Sequence, residues 1–211
     1  MKNFDFNNKL YVITESTISK NRSNEFIVKE AIKGGAEIIQ LREKNWDKNR
    51  IKEEAIKLLK ICRENNVLFI LNDYVDVALE INADGVHLGQ SDMSIKGARE
   101  ISNKKYKNLI IGLSTHSSEQ AIKADKEGTN YITIGPIFKT RSKDYTVGTN
   151  IINQIINKIN KPLIAIGGIN KKNIDSVLDQ GVKSVAVISA VVGADDVKED
   201  ARELVKKIKT V

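Results

Sequence analysis

The sequence of 211 residues contains one cysteine, Cys62, and two prolines. A single cysteine excludes a disulfide framework and a cysteine-ligated zinc site, and it fits a reducing compartment. Two prolines and thirteen glycines exclude collagen-like and proline-rich chains. The apolar runs, such as residues 184–192, fall far short of the roughly 18–20 residues of a membrane-spanning helix, and residues 1–10 lack a signal-peptide core. We therefore expect a cytoplasmic protein without a membrane partner.

The charge of the chain is basic, with 34 Lys and Arg against 27 Asp and Glu, a formal net charge of +7. Such a balance raises the question of nucleic-acid binding. The basic residues are spread along the chain on the polar faces of predicted helices, interleaved with glutamates. We interpret most of them as solvated surface and expect no nucleic-acid partner, but a localised anion site is compatible with this distribution.

Short apolar, β-branched runs alternate with segments of helical spacing along the whole chain. The predicted strands cover residues 9–14, 37–43, 67–73, 84–89, 108–115, 130–138, 162–169 and 184–191. The predicted helices cover residues 23–34, 47–65, 75–81, 94–102, 117–127, 149–159, 171–180 and 197–208. Eight βα units in about 200 residues favour a (β/α)₈ TIM barrel over a doubly wound sheet. We expect a single α/β domain over residues 1–211, with residues 1–8 as an extension whose order the sequence leaves open.

In a barrel of this kind, chemistry belongs at the carboxyl ends of the strands. Gln40, Arg42 and Lys44 alternate at the end of the second predicted strand, so their side chains should share one face. A guanidinium and an ammonium together suit a polyanion. The alternative is a network of salt bridges between helices.

Two carboxylates, Asp73 and Asp92, follow the third and fourth predicted strands, which are neighbours in a barrel. Mg²⁺ is held in proteins by one or two carboxylates together with substrate phosphates. The pair beside the basic cluster therefore predicts a Mg²⁺ site. The alternative for each aspartate is a helix N-cap.

Residues 139–148 form a long predicted loop after the sixth strand. Its Thr140, Ser142 and Lys143 offer hydroxyls and an ammonium to an anion, and its length would allow it to close as a lid. The alternative is a mobile surface loop. Gly167–Gly168 and Ser189, placed in the seventh and eighth strand regions, match the phosphate site that barrels often build there.

The two histidines, His87 and His116, do not form a spaced ligand set for zinc. His87 lies inside the fourth predicted strand, where a hydrogen-bonded core histidine is expected. His116 lies nearer the rim, and the sequence establishes no nucleophile–base partner for it. We interpret Cys62 and Trp46 as packing residues.

Seven motifs together resemble the thiamine phosphate synthase family. They are QLREK (40–44), NDYVDVA (72–78), DGVHLGQSD (84–92), GLSTH (112–116), GPIFKTRSK (135–143), IGGI (166–169) and VAVIS (185–189). The resemblance implies a Mg²⁺-dependent transferase of thiamine biosynthesis that joins an aminopyrimidine diphosphate to a thiazole phosphate and releases pyrophosphate. It further implies a dissociative mechanism, in which pyrophosphate leaves before the thiazole nitrogen attacks.

The resemblance also assigns site residues. Those of the pyrimidine diphosphate site are Gln40, Leu41, Arg42, Glu43, Lys44, Asn72, Ser114 and Lys143. Of these, Arg42, Lys44, Ser114 and Lys143 are the expected catalytic residues. Those of the thiazole phosphate site are Thr140, Arg141, Ser142, Gly168, Ile188 and Ser189. Asp73 and Asp92 would bind the metal.

The sequence departs from the family at three positions. Lys139 stands where proline is frequent and Ser142 where threonine is frequent, and both keep or add phosphate-binding capacity. Tyr74 stands where arginine is common, which puts one charge contact in doubt but not the metal site.

Several other functions stay open at this point. A thiazole tautomerase shares the barrel but tends to lack the aspartate found here at position 73. A phosphosugar isomerase or Schiff-base aldolase is disfavoured, because the sixth strand lacks the lysine that an aldolase would need. An RNA-binding or ligand-sensing barrel would use the positive charge directly but gives no reason for the rim carboxylates. We expect small phosphorylated molecules as the partners of the chain, and the sequence leaves open whether it forms a homo-oligomer.

Overall fold

The computed structural model describes residues 4–105, 108–141 and 143–210. Strands and helices alternate along them as the sequence predicts. The strands are β1 Leu10–Ile13, β2 Ile38–Leu41, β3 Leu68–Asn72, β4 Gly85–Leu88, β5 Ile110–Thr115, β6 Tyr131–Ile134, β7 Leu163–Ile166 and β8 Ser184–Val187. The helices are α1 Asn24–Lys33, α2 Lys48–Glu64, α3 Val75–Glu80, α4 Ile95–Lys104, α5 Ser118–Lys126, α6 Asn150–Ile156, α7 Asp175–Leu178, α8 Ser189–Val192 and α9 Val197–Ile208.

The eight strands are all parallel and form a closed barrel in chain order, from β1 through β8 and back to β1. Closure sets Tyr11 beside Ile38 of β2 on one side and beside Ala186 of β8 on the other. The prediction of a (β/α)₈ TIM barrel is confirmed. All strands therefore end at one rim, which collects the residues that follow them.

Local signals fix the helices as the sequence indicates. Asp47 caps α2 by accepting hydrogen bonds from the backbone N–H groups of Asn49 and Arg50. Ile51, Ala55 and Leu58 lie buried on the same helix, because an apolar residue every third or fourth position makes one apolar face. Packing of that face against the sheet is what positions β2 and β3 relative to the helical layer.

The core has two parts, since successive side chains of a strand point to opposite faces. One part lies between the sheet and the helices and includes Val12 and Leu41. The other fills the barrel and includes Tyr11, Ile70 and Tyr131.

The amino-terminal segment closes the lower end of the barrel, which is the end at which the strands begin. Phe6 is 4% exposed and stacks on the ring of Tyr131, with 4.7 Å between the ring centroids. The Phe6 carbonyl accepts a hydrogen bond from the Ser184 hydroxyl of β8. The part of residues 1–8 that the structure describes is thus a plug with its own tertiary contacts, and residues 1–3 lie outside the described chain.

The eighth predicted strand is wrong beyond its fourth residue. β8 ends at Val187, and Ser189–Val192, predicted as strand through residue 191, forms the short helix α8. The reason is physical: a continuous apolar run fits a buried strand and a buried helix equally well. As a result Ile188 and Ser189 lie outside the sheet, and nine α-helices rather than eight occur in the described residues.

None of the helices in the described parts of the chain combines the length with the hydropathy that spanning a bilayer requires.

Candidate active site

Three predicted site residues lie at the end of β2, each in a different environment. Gln40 is buried inside the barrel, and its Nε2 donates to the Tyr11 hydroxyl at 2.5 Å. Leu41 is fully buried in the layer between sheet and helices, so its backbone alone is near the rim. Arg42 lies beyond the strand, and its Nη1 is 3.0 Å from the Glu15 carboxylate.

The predicted alternation of Gln40, Arg42 and Lys44 on one strand face is wrong, because β2 ends at Leu41 and Lys44 lies in the turn that follows. The two cations nevertheless act on the same acid. Arg42 and Lys44 both favour the charged form of Asp73 through their positive charge. The basic pair therefore lies at the rim, although the turn rather than the strand places it there.

Glu43 is 5% exposed and holds the loop after β1. Its carboxylate accepts hydrogen bonds from the backbone N–H and hydroxyl of Ser16 and from Nδ2 of Asn24. This predicted substrate residue thus connects the loops after β1 and β2.

The carboxylates of Asp73 and Asp92 approach each other at the rim after β3 and β4. Burial, followed by a hydrogen bond with Asp92 and the negative charge of Asp92, raises the pKa of Asp73 to about 7. The proposed alternative, that these aspartates cap helices, is not what the structure shows. The N-cap residue of α3 is Tyr74, whose side chain makes no capping hydrogen bond, and Ser94 caps α4.

The carboxylate of Asp92 accepts a hydrogen bond from the Gly89 N–H at 2.6 Å, which fixes it beside the end of β4. The predicted Asn72 is the last residue of β3, next to Asp73 and half-buried. Within the described residues, no group of three or more histidine, cysteine, aspartate or glutamate side chains could hold a metal ion.

Ser114 and His87 meet inside the mouth of the barrel. The Ser114 Oγ lies 2.8 Å from His87 Nε2, and His87 Nδ1 lies 3.0 Å from the Tyr131 hydroxyl. Burial lowers the pKa of His87 to about 4, so the ring is neutral at pH 7. The prediction of a hydrogen-bonded core histidine at position 87 is confirmed.

The loops after β6 and β7 lie against each other. Gly168 has a φ of +68°, and a Cβ there would come within 2.7 Å of the Lys139 carbonyl oxygen and of Phe138 Cβ. Glycine at this position is therefore required both by the backbone angle and by the close approach. This contact places Gly168 against Lys139, the residue before Thr140.

Thr140 has a buried hydroxyl oxygen without a hydrogen-bond partner among the described residues. Arg141 and Lys143 are exposed on the same loop, and Ser142 lies outside the residues that the structure describes. A buried hydroxyl without a partner is unfavourable unless a ligand supplies one. Thr140 thus fits its predicted role beside a phosphate.

Tyr145 anchors the loop of residues 139–148. Its ring packs edge-on against His116, with centroids 6.0 Å apart, and Lys143 Nζ lies 5.8 Å from the ring centre. His116 Nδ1 is in turn hydrogen-bonded to the Gly135 carbonyl at 2.6 Å. His116 therefore connects Tyr145 of the loop to Gly135, the residue that follows β6. Lys139 is exposed on it.

Ile188 and Ser189 begin α8 at the same rim. The structure therefore places these two residues after β8, as the phosphate-site prediction requires, even though the strand boundary was wrong. Tyr74 precedes α3 next to Asp73, where it is half-buried against the helical layer.

Two further functional candidates carry no signal in the sequence pattern. Tyr11 and Tyr131 are fully buried, and their hydroxyls lie 3.0 Å apart inside the barrel. Their sequence context, in apolar strands, is that of ordinary core residues. Only barrel closure brings the two strands, 120 positions apart, close enough for this contact.

Known proteins are similar to this chain in sequence and in fold. The model of the thiamine monophosphate synthase family matches residues 10–191. The thiamine-phosphate synthase of Halalkalibacterium halodurans is 43% identical over 193 residues, which are 90% of each chain. That of Clostridium acetobutylicum is 41% identical over 215 residues and the full length of both chains.

The solved structure of thiamine phosphate pyrophosphorylase from Pyrococcus furiosus has a TM-score of 0.88 and 42% identity, covering 96% of each chain. The matched segment contains every site residue described above, from Gln40 to Ser189. The chain therefore belongs to the thiamine monophosphate synthase family.

Proposed function

We propose that the protein is a Mg²⁺-dependent thiamine-phosphate synthase. It would transfer the (4-amino-2-methylpyrimidin-5-yl)methyl group from its diphosphate to the nitrogen of 4-methyl-5-(2-phosphooxyethyl)thiazole, giving thiamine monophosphate and pyrophosphate. The observation that carries this proposal is the meeting of Asp73 and Asp92 with Arg42 and Lys44 at one rim of the barrel.

The two carboxylates fit a divalent cation. Asp73 is half-buried beside a second carboxylate, an arrangement that raises its pKa to about 7 and that a cation would relieve. Asp73 and Asp92 would hold the Mg²⁺, with substrate phosphate oxygens completing its shell. When bound, the metal supplies positive charge that stabilises a leaving diphosphate.

The chain's own residues support departure of the diphosphate before attack. Arg42 and Lys44 lie beside the carboxylates, and Lys143 lies on the loop that follows β6. Fixed cations are most effective where negative charge develops, and here it develops on the diphosphate as its bond to the pyrimidine methylene breaks. The thiazole nitrogen would then form the new C–N bond to that carbon, so positioning completes the reaction.

The second substrate would bind between the loops after β6, β7 and β8. The partnerless Thr140 hydroxyl is one donor for its phosphate. Gly168 allows the two loops to approach closely, and Ser189 begins the short helix at the same place. A phosphate at a glycine-rich turn before a helix is a recurrent arrangement in barrels.

Pyrophosphate release with both substrates tests the proposal. We expect release to need Mg²⁺ and the thiazole phosphate, and Asp73→Ala and Asp92→Ala each to lower the rate at least about 100-fold, equivalent to roughly 3 kcal/mol of transition-state stabilisation. Asp76→Ala is the matched control, because Asp76 is a nearby carboxylate that pairs with Lys48 on the surface.

Asp76→Ala should keep wild-type turnover. Undiminished release in the two rim variants, or without added divalent cation, would contradict the metal site. Absence of any thiamine monophosphate from the wild-type protein under these conditions would contradict the transferase itself.

A further inference from the structure

A continuous hydrogen-bonded chain crosses the inside of the barrel. Gln40 Nε2 contacts the Tyr11 hydroxyl, which contacts the Tyr131 hydroxyl at 3.0 Å, which contacts His87 Nδ1 at 3.0 Å. His87 Nε2 then contacts Ser114 Oγ at 2.8 Å. We call these five residues the barrel relay. It joins β2 to β5 through β1, β6 and β4.

The direction of each hydrogen bond follows from the first one. Because Gln40 Nε2 is a donor, the Tyr11 oxygen accepts, and the Tyr11 hydrogen points to the Tyr131 oxygen. Tyr131 must then donate its own hydrogen to His87 Nδ1. A neutral imidazole that accepts at Nδ1 carries its proton at Nε2.

That proton has acceptors at the right places. Ser114 Oγ lies 2.8 Å from Nε2, and the Thr133 hydroxyl lies 3.5 Å from it. Ser114 thus accepts from His87 and keeps its own hydrogen for another partner. At the opposite end, Gln40 Oε1 is buried without a hydrogen-bond partner among the described residues.

The groups of the relay lie among neutral partners. His87 is 5% exposed, and both of its ring nitrogens face hydroxyl groups. Burial raises the pKa of Tyr11 and of Tyr131. No charge enters or leaves the chain, so its proton order is set by geometry alone.

We propose that Tyr11 and Tyr131 are positioning residues that fix the two ends of the relay with opposite character, Gln40 as a hydrogen-bond acceptor and Ser114 as a donor. If the proton order reversed, Gln40 would present N–H groups and Ser114 would present a lone pair. The ends therefore change together, and Gln40 and Ser114 recognise one ligand jointly although they lie on different strands.

The ligand that fits has a hydrogen-bond donor at the end that meets Gln40 and a hydrogen-bond acceptor at the end that meets Ser114. An aminopyrimidine joined to a diphosphate has this pattern, with an exocyclic N–H for Gln40 Oε1 and a phosphate oxygen for the Ser114 hydroxyl. This assignment of the ligand rests on the proposed function. The same proton order means that His87 cannot take the proton of Ser114, so the pair is not a serine nucleophile with its base.

The two tyrosine rings are held independently of their hydroxyls. Tyr131 stacks on Phe6 and covers Gly112, where a Cβ would come within 2.1 Å of Tyr131 Cζ. Tyr→Phe at either position therefore removes a hydroxyl and keeps the ring. In Tyr131→Phe the Tyr11 hydroxyl loses its acceptor and is free to donate to Gln40, which would turn the amide. In Tyr11→Phe the Gln40 amide loses its partner and is free to rotate.

Binding of two pyrimidine diphosphates tests the relay. Titration calorimetry without the thiazole phosphate would compare the 4-amino compound with its 4-methyl analogue. We expect the wild-type protein to prefer the amine about tenfold, and Tyr11→Phe and Tyr131→Phe each to reduce that preference at least about threefold. Ser184→Ala is the matched control, because this buried hydroxyl also makes two hydrogen bonds but lies at the lower end of the barrel.

A loss of stability alone would weaken the binding of both compounds equally and leave the preference for the amine unchanged. If both tyrosine variants keep the wild-type preference for the amine, the relay is overturned. If the wild-type protein binds neither compound, the proposed function fails instead.

A second measurement is made on the wild-type protein, and a variant serves only to assign its signals. Nitrogen-15 spectra of labelled histidine report the tautomer of His87, and His87→Gln assigns its signals among two histidines. We expect the proton on Nε2 in the ligand-free protein. A proton on Nδ1 would reverse the order of the chain and overturn the proposal.

Discussion

Three groups at the mouth of the barrel are unfavourably placed without a ligand. They are the Asp73 carboxyl beside Asp92, the partnerless Thr140 hydroxyl and the partnerless Gln40 oxygen. Buried polar groups are rarely left unsatisfied in a chain whose remaining structure is regular. Asn8, Asn24 and Glu37 also carry a buried oxygen without a partner among the described residues, so it is the combination of Gln40 and Thr140 with the Asp73–Asp92 pair that indicates a ligand site at this rim.

The buried imidazole of His87 makes stability depend on pH. Its pKa is about 4 in the folded protein because burial opposes the charged form, against 6.5 for the exposed side chain. Between these values the unfolded chain binds the proton and the folded chain does not, so this group makes stability fall as pH decreases from 6.5 to 4. Over this pH range, His87 lowers the free energy of unfolding by about 3 kcal/mol in all.

Comparison of wild type with His87→Gln isolates this contribution, because other titrating groups are common to both. When the pH is lowered from 7 to 4, we expect the free energy of unfolding of the wild type to fall by about 3 kcal/mol more than that of His87→Gln. Urea unfolding in EDTA at several pH values measures it. Parallel curves for the two proteins would show that His87 is protonated in the folded state.

At the scale of elements, the sequence is informative where the pattern is long. The apolar face of α2 and its Asp47 cap are both readable, because helical spacing repeats over several turns. The end of β8 is not readable, because Ser184–Val187 and Ser189–Val192 have the same apolar composition. The turn after Leu41 is hidden for a similar reason, since alternating polar residues continue past the end of β2.

The junction of the loops after β6 and β7 depends on Gly168. We expect Gly168→Ala to lower the free energy of unfolding by about 3 kcal/mol, because the new methyl group must adopt a left-handed backbone and also displace the Lys139 carbonyl and Phe138. Binding of the thiazole phosphate should weaken as the loops separate. Chemical unfolding and calorimetric titration measure the two effects.

Gly128→Ala is the control for backbone strain. Gly128 also has a positive φ, of +90°, but a Cβ there would meet no atom within 4 Å. Its substitution should cost only about 1–2 kcal/mol. If the two variants lose the same free energy of unfolding, the close approach of the loops at Gly168 contributes nothing to the cost of its substitution.

At the scale of the molecule, closure of the barrel creates contacts that no local pattern encodes. Tyr11 and Tyr131 stand in apolar strands and resemble core residues, and their partnership appears only when β1 and β6 face each other across the interior. The rim residues were more predictable, because every parallel strand of a barrel ends on the same side. The sequence thus predicts which end of the molecule is functional but not how its interior connects the site.

The plug at the lower end ties the amino terminus to that interior. Phe6 is 4% exposed and stacks on Tyr131, whereas Phe26 on α1 is 46% exposed. We expect Phe6→Ala to lower the free energy of unfolding by about 3 kcal/mol, because it leaves a cavity beneath the barrel, and Phe26→Ala to lower it by less than about 1 kcal/mol. Denaturant unfolding of the two variants compares the same side-chain truncation inside and outside the core. If both lose the same stability, the amino-terminal segment does not close the barrel in solution, and the ring of Tyr131 is held by its other contacts, with Tyr11, His87 and Gly112.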